Sequence, residues 1–365
     1  MQILLIYIDI VSFYDIINPK KGDDYMKKYL LPNDWNFYKA NLHCHSTWSD
    51  GKHTPAELKE LYKGKGYSVL AITDHEGLFY HSELDDENFI TIAGTELAFY
   101  KLKNDPYITA HICFYKKDPT DIYQPGANPG FVHPSFRWTN DPEMKSQLKP
   151  KGEPFSMLYT AENINHVFKT MKDEGFISTL NHPTWSMQYY CDYIQYENVD
   201  NLEIYNHACF LSGHDEHNGH AYDALLRNKG NKLFITCCDD NHRHITDEVK
   251  MDMFGGFTMF KAPSLTYANI MDSFEKGIFY CSEGPDISEL YVEDGYIVLR
   301  SNTPLQLIRL VSGEQHVQVK HMKNGKAIYD ASFEIRPDVG YIRLECVDLT
   351  GKRAYTNAYF VEDLI

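Results

Sequence analysis

The sequence predicts an α/β fold built on a parallel sheet, open or closed into a barrel, with a small antiparallel β-domain after it. Three observations carry this. From Phe37 to about Gly277, short apolar runs alternate with capped amphipathic segments, as in repeated βα units. After Pro285 the alternation stops and hairpin signals replace it. Finally, 365 residues that are 43% hydrophobic and 24% charged make a folded chain of one large domain with an appendage, or two domains.

Residues 1–37 read as an N-terminal extension, with Met26 as an alternative start before Lys27-Lys28. Tyr38 to His45 reads as a strand. Thr54-Pro55-Ala56-Glu57 is a capping box opening a helix that stops near Gly64 or Gly66. Val69 to Thr73 and Phe89 to Thr95 are short buried strands. Residues 118–155 form an insert rich in proline, expected to be a structureless lid or binding loop. A helix over Thr160 to Glu174 then precedes strands at Phe176 to Asn181 and Leu202 to Asn206. A helix across Ala221 to Asn228 leads to the strand Lys232 to Cys238, and Ser264 is expected to cap a last helix ending at Gly277. The alternating unit thus spans residues 38–285. In 286–365, Asp294-Gly295 and Asn324-Gly325 are hairpin turns of the β-domain.

Charge and composition exclude several functions. The balance of 35 basic against 51 acidic residues, net −16, argues against a duplex nucleic-acid binder. No run approaches the roughly 18 apolar residues of a membrane span. Met1 to Ile17 is broken by Asp9 and Asp15 and lacks a basic n-region and a cleavage site. Eight cysteines without a C-x-x-C pair suit a reduced, cytoplasmic setting.

The histidines carry the chemistry. All but two of the 17 lie between residues 43 and 244. His43-Cys44-His45 ends a strand, so both imidazoles share one face. Asp50 follows in a turn, Asp74-His75 ends the second strand, and Glu96 ends the third. His111 lies in a strand, His182 follows another, and Asp240-Asn241-His242 follows a later one. Each alone is an ordinary turn or cap residue. Together they put acids and imidazoles at the carboxyl ends of five strands, where such folds build sites. Burying so many titratable groups without a cation is costly. Imidazole and carboxylate donors without thiolate suit Zn, Mn or Fe.

As a set, His43-x-His45, Ser49-Asp50-Gly51, Thr73-Asp74-His75, Gly94-Thr95-Glu96, His111, Asn181-His182-Pro183 and Asp240-x-His242 resemble the motif series of the polymerase-and-histidinol-phosphatase (PHP) superfamily. The β-rich tail and Trp185 are more similar to its carbaryl-hydrolase-like branch. The resemblance implies a distorted (β/α)7 barrel and two or three divalent metal ions. It implies that His43, His45, Glu96 and Asp240 hold the first ion, that Glu96 bridges to a second on His111 and His182, and that Asp50, His75 and His242 hold the third. Asp74 and Glu76 take supporting roles, and Asp240 is preferred to Asp239 on the D-x-H spacing.

The expected chemistry is hydrolysis of a small phosphoester, nucleotide-derived ones included, by a metal-bridging hydroxide. Arg243 is a candidate phosphate clamp and His207 a candidate to orient a leaving group or a water. Arg137-Trp138 reads as part of a solvated loop, as does Gly213 to Gly219 with its His214, His217 and Asp215. Two rival readings remain: a carboxylic or carbamic ester hydrolase using the same ions, and a catalytically idle metal-binding sensor or binding protein.

Overall fold

The computed structural model describes residues 27–101, 108–128, 132–228, 232–242 and 251–365. Of the expected extension over residues 1–37, the first 26 lie outside the described residues. Its continuation is no appendage, since Lys28–Tyr29 pairs antiparallel with Tyr291 and Val292 and Leu31 is buried.

Seven strands follow one another across the sheet in chain order: β1 (Asn36–Asn41), β2 (Val69–Ile72), β3 (Ile90–Tyr100), β4 (Thr109–Lys116), β5 (Phe176–Leu180), β6 (Asn201–Asn206) and β7 (Phe234–Cys238). β1–β2–β3 and β5–β6–β7 are parallel ladders. β4 runs antiparallel to both β3 and β5, so the sheet is mixed rather than parallel throughout. The reason is the connection: residues 101–108 between β3 and β4 are too few for a crossover, which takes about a dozen or more. β8 (Phe257–Ala262) pairs antiparallel with β1, and β9 (Phe279–Ser282) with β8. Among the described residues no ladder joins β7 to β1. Their ends meet at one parallel bridge, Cys44 to Asn241, where Asp240 N donates to His43 O at 2.9 Å and His45 N to Asn241 O at 3.1 Å.

Four of the five helices that follow start where the sequence supplies a side-chain acceptor. α1 (Pro55–Lys63) has the full Thr54–Glu57 capping box, and α2 (Ala161–Asp173) is capped by Thr160. α3 (His207–Leu211) is capped by Asn206, α4 (Gly219–Arg227) is the exception, and α5 (Tyr267–Lys276) ends on Gly277 at φ 70°. Thr266, not Ser264, caps α5; the Ser264 hydroxyl instead accepts from the Asn269 side chain at 2.7 Å.

The insert is not structureless. Gln124–Pro125 pairs with Pro150–Lys151, two short helices span Arg137–Asn140 and Pro142–Gln147, and Phe79, Ala127, Trp138 and Leu148 form its own core. Trp138 is fully buried, and its indole N–H donates to His75 O at 3.0 Å. The expected solvated loop is therefore a wall anchored to a strand end.

Beyond Pro285 come β10 (Glu289–Glu293), β11 (Tyr296–Ser312), β12 (Gln318–His321), β13 (Ile328–Glu334), β14 (Tyr341–Asp348) and β15 (Arg353–Thr356). The hairpin turns fall where expected, with positive φ at Asp294, Gly295, Asn324 and Gly325. β15 pairs with β9, which sews these strands into the same sheet as the first seven.

Candidate metal centre

The structure brings the nine expected residues together at one end of the sheet. His43 and His45 lie just past β1 and share a face, while Cys44 points away into an apolar cluster of α1 and the later strands. His43 Nε2 is 3.2 Å from His45 Nε2, and both are 3.2 Å from Asp240 Oδ1. Glu96, on β3, lies 3.3 Å from His43 Nε2 and 3.2 Å from His45 Nε2. The same carboxylate is 3.2 Å from His111, on β4, and 3.4 Å from His182, just past β5. His75 also reaches it at 3.2 Å. Asp50 stands 3.7 Å from His75 and 3.4 Å from His242. The rings of His75 and His242 flank that of His45, with centroids 4.4 and 4.1 Å away.

Donor atoms in four sets lie close enough together to share an ion: His43, His45, Glu96 and Asp240; Glu96, His111 and His182; His45, Asp50, His75 and His242; and His43, His182 and Glu203. Two observations fit a cation there. Asp50 Oδ1 and Asp240 Oδ1 are buried and accept no hydrogen bond from any described residue. The protonation pattern is also frustrated. Burial opposes charge on His43 and His45, yet Asp240, Glu96 and their neighbours raise both well above the usual histidine range. Burial, aided by the charge on His45, pushes His75 down to about 3. Glu96 and Asp240 are held well below the carboxylate range because the imidazoles outweigh their burial. Divalent ions would supply the positive charge that these buried carboxylates favour.

The surrounding chain fixes these donors. Gly51 is required where it is, since a Cβ would sit 2.1 Å from His45 O. Asp74 accepts from Ser46 N at 2.8 Å, from both serine hydroxyls at 2.6 Å and from Ser49 N at 3.2 Å, tying down the loop that carries Asp50. Asp240 and His182 hold positive φ of 52° and 22°, strain of about 1–3 kcal/mol each that the bridge at β7 and the β5 end sustain. Asp239 turns the other way, accepting from Phe254 N at 2.7 Å and from Gly255 N and Gly256 N at 2.9 Å.

Glu203 was not singled out from the sequence. Fully buried on β6, it accepts from His43 Nδ1 at 3.0 Å, His182 N at 2.9 Å and Asn206 Nδ2 at 2.9 Å. It fixes the His43 tautomer so that Nε2 faces the cluster. Its signal is an acid between Leu202 and Ile204 in a buried strand, costly unless paired. Asp252 was missed as well; it accepts from His242 N at 3.2 Å.

The cluster floors a cavity of about 280 Å³ with Trp185, Cys209 and Ser212 in its walls. His207 does not line it. Its Nδ1 meets the Tyr205 hydroxyl at 2.9 Å and its Nε2 the Met251 carbonyl at 3.1 Å, so both nitrogens are engaged by the protein. Arg243 lies outside the described residues. Arg137 is mostly exposed and pairs with Asp141 at 3.8 Å. The stretch around His217 is solvated only in part: Gly213 and Asp215 are exposed, while Glu216 is fully buried, accepting from Trp185 N, and His217 pairs with Glu283 at 3.2 Å. No helix among the described residues is long and apolar enough to cross a membrane.

No family model matches the chain. A 37-residue segment is 54% identical to the DNA polymerase/3'-5' exonuclease PolX of Bacillus subtilis (strain 168), covering 10% of this chain and 6% of that protein. A two-domain protein from Bacteroides vulgatus ATCC 8482, described as containing a predicted PHP-like metal-dependent phosphoesterase, aligns over 93% of this chain and 100% of its own, at 12% identity and a TM-score of 0.43. An amidohydrolase from Chromobacterium violaceum, solved with sulfate and no metal, aligns over 66% of this chain and 96% of its own, at 15% identity and a TM-score of 0.40. At TM-scores below 0.5 these two likenesses carry no weight for fold or chemistry. The chain is similar, over one short segment, to a PHP-domain protein.

Proposed function

We propose that this chain is a metal-dependent hydrolase acting on small phosphoesters, nucleotide-derived ones among them, with two or three divalent ions on His43, His45, Asp50, His75, Glu96, His111, His182, Asp240 and His242. The observation that carries the reading is the convergence of nine donors around two buried carboxylate oxygens that accept no hydrogen bond from any described residue, at the floor of a small cavity. Bound ions would supply Lewis acidity to the ester and lower the pKa of water. The chain's own part is to orient the donors through Glu203 and Asp74, to hold His75 from behind through Trp138, and to limit access with the wall at Trp185. We read the seven strands as a distorted (β/α)7 barrel over residues 38–285, supported by their chain-order pairing and the Cys44–Asn241 bridge. Residues 286–365 are its β-domain, and the setting is cytoplasmic.

One observation favours a second reading, a carboxylic or carbamic ester hydrolase. Among the described residues that line the cavity there is no lysine or arginine to hold a phosphate. Phosphomonoesters, phosphodiesters and carboxylic esters assayed with Mn, Zn and Fe decide between the two. Metal-dependent turnover of phosphoesters supports the first; turnover of carboxylic esters alone replaces it. Full metal loading with no turnover of either class leaves the idle metal-binding protein.

A further inference from the structure

One neutral side chain, Asn206, stands between two carboxylates of the metal centre. It is the last residue of β6 and is fully buried. Its Nδ2 donates to Glu203 Oε2 at 2.9 Å and to Asp240 Oδ2 at 3.1 Å, one hydrogen for each. Its Oδ1 accepts from Cys209 N at 2.9 Å, which makes Asn206 the N-cap of α3. The parallel ladder explains the reach. Asn206 lies opposite Cys238 at the end of β7, and Asp240 follows two residues later.

Each contact decides something different at the centre. Glu203 holds the His43 ring through Nδ1 at 3.0 Å and the backbone of His182 through its N–H at 2.9 Å. Asp240 has Oδ2 on Asn206, while its Oδ1 faces His43 Nε2 and His45 Nε2 at 3.2 Å each and accepts no hydrogen bond from any described residue. The cap contact fixes α3, whose residues Ala208 and Cys209 wall the cavity. An amide of this length suits all three tasks. Two buried carboxylates that accept from one nitrogen lie close together, and their like charges repel unless donors come between them. Asn206 supplies two donors without a charge of its own. An aspartate there would add a third carboxylate, and a serine carries one hydrogen where two are used.

We propose that Asn206 is a positioning residue of the metal centre: it holds Asp240 by Oδ2 so that Oδ1 is presented to an ion, and through Glu203 it sets the His43 ring at the same time. The inference rests on the metal-centre reading above. It adds that donors following two separate strands, β1 and β7, are aligned by one amide on a third. Capping α3 is a further task of the same side chain, and the two tasks can be separated by substitution.

The test is competition for Zn²⁺ between the full-length protein and a chromophoric chelator, with thermal melting in excess chelator beside it. Asn206→Ser keeps an N-cap oxygen for Cys209 N but is too short to span both carboxylates. Asn206→Ala loses the cap as well. Both variants should bind at least one ion roughly tenfold or more weakly than the wild type. Asn206→Ala should also melt below Asn206→Ser, with no further loss of affinity. If capping α3 is all that Asn206 does, Asn206→Ser matches the wild type in affinity and only Asn206→Ala departs from it, which overturns the proposal. Should Asn206→Ser not fold, Asn206→Thr takes its place, since threonine also caps a helix. Wild-type protein that takes up no Zn²⁺ overturns the metal centre and this role with it. Zn²⁺ affinity unaltered in the cap-keeping variant overturns this role alone.

Discussion

Two of the groups of charged side chains buried among the described residues are neutralised in opposite ways. Around β14, each carboxylate meets a guanidinium: Arg343 holds Asp223 and Glu345, and Arg309 shares Glu345. At the strand ends, three carboxylates meet six imidazoles, none a permanent cation, and two carboxylate oxygens are left without a donor. The first group is complete as folded. The second is completed only by something added. Burial of charge alone therefore does not mark a functional site; the unmatched remainder does.

The largest effect that would break this contrast is at Asp240. Asp240→Asn should bring turnover to background and metal content below that of the wild type, while the melting temperature in chelator stays close to it. Retained metal and turnover would mean that the unsatisfied oxygen is not a ligand.

Next is Arg343→Met, which leaves Asp223 without a cation and Glu345 on Arg309 alone, and should cost about 3–5 kcal/mol of stability in urea unfolding. Metal affinity of the folded protein should not change. A pH arm sharpens this. Burial alone would raise the Glu345 carboxyl, but Arg343 and Arg309 outweigh it and hold it below the usual range. A depressed carboxyl stabilises the fold above its unfolded value of about 4.3 and loses that contribution as pH falls towards the folded value. Wild-type stability should fall on that acid limb, and Arg343→Met should flatten it.

Third, removing the ions with a chelator should lower stability by about 2.7 kcal/mol if they are normally present at a hundred times their Kd. The loss should be the same in the wild type and in Arg309→Lys, because the two groups do not share a partner. A chelator-insensitive melting curve would remove the case for resident ions. Smallest is Glu203→Gln, which should weaken metal affinity roughly 10–100-fold without abolishing it. No change would show that the His43 ring is fixed by packing alone.

What the sequence revealed follows its local chemistry. Caps were legible at Thr54 and Thr160, as were the turns at Asp294 and Asn324, because each depends on a few adjacent residues. All nine residues of the cluster were legible because metal donors are few residue types and sit at strand ends. The choice of Asp240 over Asp239 agrees with which of the two faces the cluster, although the chain reaches that orientation through a positive φ that spacing does not report. Non-local matters were hidden. The reversal of β4 depends on a connection length, visible in the sequence but outweighed by the alternating pattern. The anchoring of Trp138 depends on His75, 63 positions earlier. Glu203 looked like an isolated acid because its partners, His43 and His182, come from two other strands.

The pairing of β15 with β9 has a consequence for synthesis. Ser282 leaves the ribosome 74 residues before Thr356, and its strand edge has no partner until then. At about 5–20 residues per second that interval is roughly 4–15 s. Throughout it, the nascent chain already carries every histidine of the cluster beside an open, apolar edge. Early ion capture could order the strand ends, but the exposed edge would remain open to pairing with a neighbouring chain. This protein's most aggregation-prone moment thus falls late in translation, after its chemistry-bearing residues are made and before its last strands arrive to cover them.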